Sequence, residues 1–160
     1  MRIRDKIKKP QRPVVAYEIL PPREKDGTLN SYAETISSLL SQTHIDAINI
    51  PEVHDEVGRG DRPVVNQKRG EPREFGMLLQ DIVGIEAIIN RVVVHDPYDR
   101  QMKWLEETNT KYEIENMIIV GGESSKVSYP GPTVNEALKA ITDKYNQNGG
   151  NIFCGGIAIP

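Results

Sequence analysis

With 160 residues, 38% of them hydrophobic and 27% charged, the chain has the size and balance of one globular domain with a real core. A formal charge of −3 removes the basic excess a nucleic-acid partner demands, and no run approaches the ~20 apolar residues of a membrane-spanning helix. Cys154 is the sole cysteine, so an internal disulfide is excluded; its apolar context predicts a buried reduced thiol and a cytoplasmic protein.

Residues 1–12 carry Arg2, Arg4, Lys6, Lys8, Lys9 and Arg12 with no apolar stretch behind them, which reads as a solvated basic arm and not a signal peptide. An apolar run over 13–19 predicts the first strand. It carries Glu18 and is halted by Pro21-Pro22-Arg23, because two prolines cannot continue a β-ladder. Leu29, Tyr32, Ala33, Ile36, Leu39 and Leu40 then recur at helical spacing, with Ser31 and Glu34 as a capping box at the entrance. A second strand is predicted over 46–50. Residues 52–73 mix Gly58, Gly60, Gly70, Pro63 and Pro72 with charges and predict a long loop at that strand's C-terminal end. Phe75, Leu78, Leu79 and Ile82 mark a second helix, with Pro72 in its first turn and Gly84 at its exit. A third strand over 87–94 precedes a weaker helix over 100–107, where Trp104 reads as a packing residue. A strand over 116–120, a helix over 134–145 and a strand over 152–159 complete the series.

Near-continuous apolar strands are covered on both faces, and their alternation with helices predicts right-handed βαβ units. The expected class is α/β with a parallel sheet, and no repeat or linker divides residues 1–160, which read as a single domain.

Followed to their C-terminal ends, the strands deliver Glu18 and Arg23, then Glu52, His54, Asp55 and Glu56, then His95 and Asp96, then Gly121, Gly122, Glu123 and Ser124. In a parallel sheet these exits share one end, the end where active sites are built. A carboxylate closing an apolar strand is costly unless paired or used, so Glu18 is either salt-bridged to Arg23 or functional. Gly121-Gly122-Glu123-Ser124-Ser125-Lys126 lacks the spacing of a P-loop or a dinucleotide fingerprint; its glycines, hydroxyls and ammonium suit an anion, and a plain strand-exit turn is the alternative. His54, Asp55, Glu56 and His95 come with no HExxH or Cys/His cluster, so no metal site is predicted.

The segments Tyr17-Glu18-Ile19-Leu20-Pro21-Pro22-Arg23, Asn49-Ile50-Pro51-Glu52, Gly84-Ile85-Glu86-Ala87 and Ile118-Ile119-Val120-Gly121-Gly122-Glu123 resemble, in order and spacing, the first part of the methylenetetrahydrofolate reductases. The resemblance runs across most of the chain. It implies a TIM-type (β/α)8 barrel in which FAD passes a hydride from NADH or NADPH to methylenetetrahydrofolate, an oxidoreductase step of one-carbon metabolism. By the same resemblance Glu18 is the general acid that protonates nitrogen to open the folate's imidazolidine ring, and Glu123 is the second acid beside substrate and flavin. Gly121, Gly122, Ser124 and Tyr129 then lie along the flavin, with Asn49 and Asn90 on inner strands as further polar contacts. Where the family has Arg-Gly-Asp this chain has Gly121-Gly122-Glu123, losing a guanidinium suited to two-pronged anion recognition. That departure points to another flavin geometry or to no tightly bound flavin.

A (β/α)8 barrel takes ~250 residues, so five strands represent about five of its eight units. The expectation is an incomplete barrel, completed by a homo-oligomer, a partner chain or a longer polypeptide, with inner faces around Val15, Ile48, Val92, Ile119 and Ile157 partly open to water. Two other classes fit the same residues: a non-catalytic half-barrel that binds or regulates with a partner chain, and another (β/α) enzyme holding a phosphorylated ligand at 121–126.

Overall fold

The structure, a computed structural model, describes residues 2–53, 68–122 and 127–157. Five parallel strands, β1 (Ala16–Glu18), β2 (Ala47–Pro51), β3 (Ala87–Val92), β4 (Asn116–Val120) and β5 (Phe153–Gly156), form one sheet in sequential order. Before them lies α1 (Ile3–Lys8), and between them run α2 (Leu29–Leu40), α3 (Pro72–Val83), α4 (Tyr98–Thr110) and α5 (Val134–Lys139). Sequential order is what a barrel wall produces; a doubly wound sheet reverses its strand order part-way.

Local chemistry sets the helix limits. Thr28 caps α2 by accepting the Ser31 N–H, in place of the predicted Ser31 and Glu34 box, because the helix already begins at Leu29. A reciprocal capping box does form at α5, between Thr133 and Glu136. Pro72 opens α3, and Gly84 closes it in a left-handed conformation with φ 70°. The helix predicted over 134–145 keeps α geometry only to Lys139 and widens to a π-helical turn over Ala140–Tyr145.

Registered neighbours share a face of a pleated sheet. Ile48, Ile50, Ala87, Ile89, Met117 and Ile119 form the face beneath the helices, none more than 2% exposed. They pack in two clusters, one with Ala33, Leu40, Phe75, Leu79 and Ile114 and the other with Leu105, Ala137 and Ile141. The opposite, inner face carries Glu18, Asn49, Ile88, Asn90, Asn116, Ile118 and Gly155. Two expectations are corrected here. Ile48 and Ile119 belong to the helix-covered face, not the inner one, because near-continuous apolar strands hide the phase of the pleat. β1 is not a buried strand: all three of its residues are exposed.

The N-terminal segment is also corrected, since it is a docked helix and not a solvated arm. An acid stands immediately before each of three strands: Asp46 before β2, Glu86 before β3 and Glu115 before β4. Arg2 and Arg4 pair with Glu115, the Ile3 N–H donates to Glu86, and Lys6 and Arg12 reach Asp46 at 2.9 and 2.7 Å. Ile3 is thereby buried at the N-terminal end of the sheet.

The Asp46 side chain is 2% exposed, and the Val15 N–H, Lys6 and Arg12 hold its carboxyl well below the usual carboxylate range. A carboxyl whose value is depressed by folding adds stability that is full above its unfolded value, near 3.9, and is lost as the pH falls below it. The D46N variant is therefore less stable than the parent protein at pH 7. Urea unfolding followed between pH 7 and pH 2 is expected to show the difference shrinking as the pH drops below about 4; a gap that stays constant would contradict this role.

Candidate functional site

The C-terminal end of the sheet gathers most of the polar residues named from the sequence. Glu18 ends β1 in the same row as Asn49 of β2, and the Asn49 amide donates to its carboxylate at 2.9 Å. Arg23 is turned away and pairs with Asp26, so the Glu18–Arg23 salt bridge does not form. The carboxylate can only accept, which fixes the Asn49 amide with Nδ2 toward Glu18 and Oδ1 away from it. Among the described residues that buried Oδ1 has no partner, nor do Oδ1 of Asn90 and Oδ1 of Asn116. For Asn116 too the amide nitrogen faces acceptors, Glu86 and the Ala87 carbonyl, both at 3.4 Å. Thus β2, β3 and β4 each present one sheltered, unpaired amide oxygen on the inner face. Leaving such an acceptor unpaired costs roughly 1–3 kcal/mol, and barrel interiors are ordinarily filled by branched apolar side chains.

The β3 and β4 exits are locked together. The Tyr129 ring lies against Gly122, where an added Cβ would come within 2.3 Å of it, and meets His95 edge-on at 5.5 Å. The Gly131 N–H donates to the Val94 carbonyl at 2.8 Å, and a Cβ on Gly131 would stand 2.4 Å from the carbonyl oxygens of Val93 and Asp96. Glu123 and Ser124, with His54, Asp55 and Glu56, lie outside the described residues, so the predicted proximity of Glu18 to Glu123 lies there as well.

Sequence reading passed over two residues, Arg91 at the β3 exit and Asn116 at the start of β4. Arg91, on the helix-covered face of β3, binds Gln101 at 3.0 Å, Asp96 at 2.7 Å and Glu52. Asn116 supplies the third unpaired oxygen. A charge inside Ile-Ile-Asn-Arg-Val-Val-Val was the visible signal for the first; a polar residue opening an apolar strand was the signal for the second. Trp104 packs as predicted, with the guanidinium carbons of Arg73 and Arg91 each 4.5 Å from its ring centroid. Cys154 is half-buried, and burial pushes its thiol up.

No family profile and no curated protein matches this sequence. Among solved structures, an uncharacterized protein from Clostridium thermocellum that binds two copies of 5-methyl-5,6,7,8-tetrahydrofolic acid superposes on 99% of this chain with a TM-score of 0.69 and 18% identity. The two share a fold. This chain spans 48% of that protein's length, and at that identity the likeness establishes architecture, not activity.

Gly122 and Tyr129, both named by the flavin expectation, pack on one another at the β4 exit. The cradle beside Gly122 that would let a cofactor approach the backbone is filled by the ring of Tyr129. The described part of the turn also carries no cationic side chain, only Gly121 and Gly122. Glu123, Ser124, Ser125 and Lys126 of the same turn lie outside the described residues.

Because Gly131 touches backbone that cannot yield as a side chain does, Gly131→Ala is expected to destabilise the protein by about 1–3 kcal/mol. Gly155→Ala, at a β5 position where an added Cβ meets nothing within 4 Å, is the matched control and is expected to be near neutral. Equal melting temperatures for the two variants would show that the β4 exit loop is not seated on the β3 turn.

Proposed function

We propose that this chain forms the folate-binding wall of a parallel (β/α) barrel, closed by further units on the same polypeptide or on a partner. One observation carries the proposal. Sheltered amide oxygens on three successive strands lack donors, and they line the inner face that also holds Glu18. A reduced pterin brings donors of the required kind, its amino group and ring N–H groups, and satisfying these oxygens would recover what the fold loses by burying them. The shared architecture with a protein that binds a methylated tetrahydrofolate supports the same ligand class.

The finer reading is an oxidoreductase of the methylenetetrahydrofolate reductase type using NADH or NADPH. In it Glu18 gives a proton to a ring nitrogen of methylenetetrahydrofolate as the imidazolidine C–N bond breaks. The resulting iminium carbon accepts a hydride from the reduced nicotinamide, leaving a methyl group and the oxidised nucleotide. Asn49, donating to one carboxylate oxygen, orients Glu18 and leaves the other oxygen to carry the proton.

Titration calorimetry with 5-methyltetrahydrofolate is expected to show saturable binding that Asn90→Ala weakens about tenfold, the loss of one well-placed hydrogen bond. If reductase turnover is present, Glu18→Gln should lower it by ~10²–10⁴-fold with little change in folate affinity. Binding without turnover selects the non-catalytic binding role, and absence of binding overturns the folate reading. A thermal shift on adding FAD would support the flavin-dependent form of this reading.

A further inference from the structure

We infer that Arg91 is a positioning residue for the C-terminal mouth: it sets the spacing of the β2 and β3 exits and, through the β3 exit turn, seats the loop that carries Tyr129. Its consequence for ligand affinity rests on the folate reading above; its mechanical part does not.

The Arg91 side chain is 4% exposed on the helix-covered face of β3, a place where an isolated charge would be prohibitive. Its donors diverge to three elements. One nitrogen binds Glu52, the first residue after β2; a second binds Asp96, in the turn after β3. The third, Nε, binds Gln101 in α4, whose own amide donates to the Val93 carbonyl at 2.8 Å. The other Glu52 oxygen accepts the Val92 N–H at 3.0 Å, so that carboxylate bridges β2 and β3 by itself. The Trp104 ring supports the guanidinium from the side. A rigid planar fork is the only side-chain group that can hold three such partners at once; a lysine ammonium on a flexible stem cannot reproduce that geometry.

What Arg91 holds is the surface on which the next loop sits. The turn it fixes presents the Val93, Val94 and Asp96 carbonyls to Gly131 at closest contact, and Gly131 follows Tyr129 by two residues. The bonds of Arg91 go to Glu52, Asp96 and Gln101, so its effect on Gly131 passes through the turn. A core arginine acting only on overall stability would have no such remote, local effect.

Hydrogen exchange of the full chain separates the two roles. Arg91→Lys keeps the charge and removes the fork. It is expected to speed exchange at the Tyr129 and Gly131 amides by about tenfold while amides in the middle of α2 and α3 keep their rates, because only a local opening is favoured. Asp96→Ala removes one prong without disturbing the buried cation's other partners, and should reproduce that pattern if Arg91→Lys does not fold. In calorimetry with 5-methyltetrahydrofolate, either variant should weaken binding about tenfold. Uniform acceleration across all helices, or unchanged rates at Tyr129 and Gly131, overturns the positioning role. If the parent protein does not bind 5-methyltetrahydrofolate, the folate reading falls while the exchange result still decides the role of Arg91.

Discussion

Each crossover in this chain returns to the strand beside the one it left, and every pairing is parallel. That single constraint fixes the rest of the molecule. Right-handed crossovers of this kind put the helices on one side of the sheet, so one face is sealed by Phe75, Leu79, Ile114 and their neighbours. The other face carries Glu18, Asn49, Asn90 and Asn116. The same constraint sends all strand starts to one end and all strand exits to the other.

The two ends are then built from charge in opposite ways. At the strand starts, acids wait for the cations of α1, and each pairing closes off part of the edge. At the exits, a buried cation gathers the acids instead, drawing Glu52 and Asp96 onto Arg91. Glu18, by contrast, is met by the neutral amide of Asn49. Division of labour between a closed base and a chemically varied mouth is what a parallel α/β architecture permits, since loop changes at one end leave the base untouched.

Much of the fold was legible in the sequence, and the misses have physical causes. β4 and α2 were placed within their observed limits because β-branched runs and helical spacing are local signals, and Pro72 and Gly84 punctuate α3 by backbone geometry alone. The pleat phase of β2 and β4 was not legible: Ile48 and Asn49, or Met117 and Ile118, differ by one position, and tertiary packing chooses between them. The docking of α1 was hidden because its partners lie up to 113 residues away. For the site, Glu18 was nameable from its strand end, and Asn49 and Asn90 from the resemblance to the reductases. The orphaned oxygens were not, since a missing partner is visible only once every neighbour has a place.

The span of those α1 contacts has a consequence for how the chain matures on the ribosome. Ile3 waits for an acid 83 residues later, and Arg2 and Arg4 for one 113 and 111 residues later. Synthesis proceeds at ~5–20 residues per second, so the first helix emerges many seconds before its last anchor exists. A six-residue helix does not persist in water unaided. This segment is therefore secured well after it is made, and its docking reports that the strand starts through β4 have already come into line.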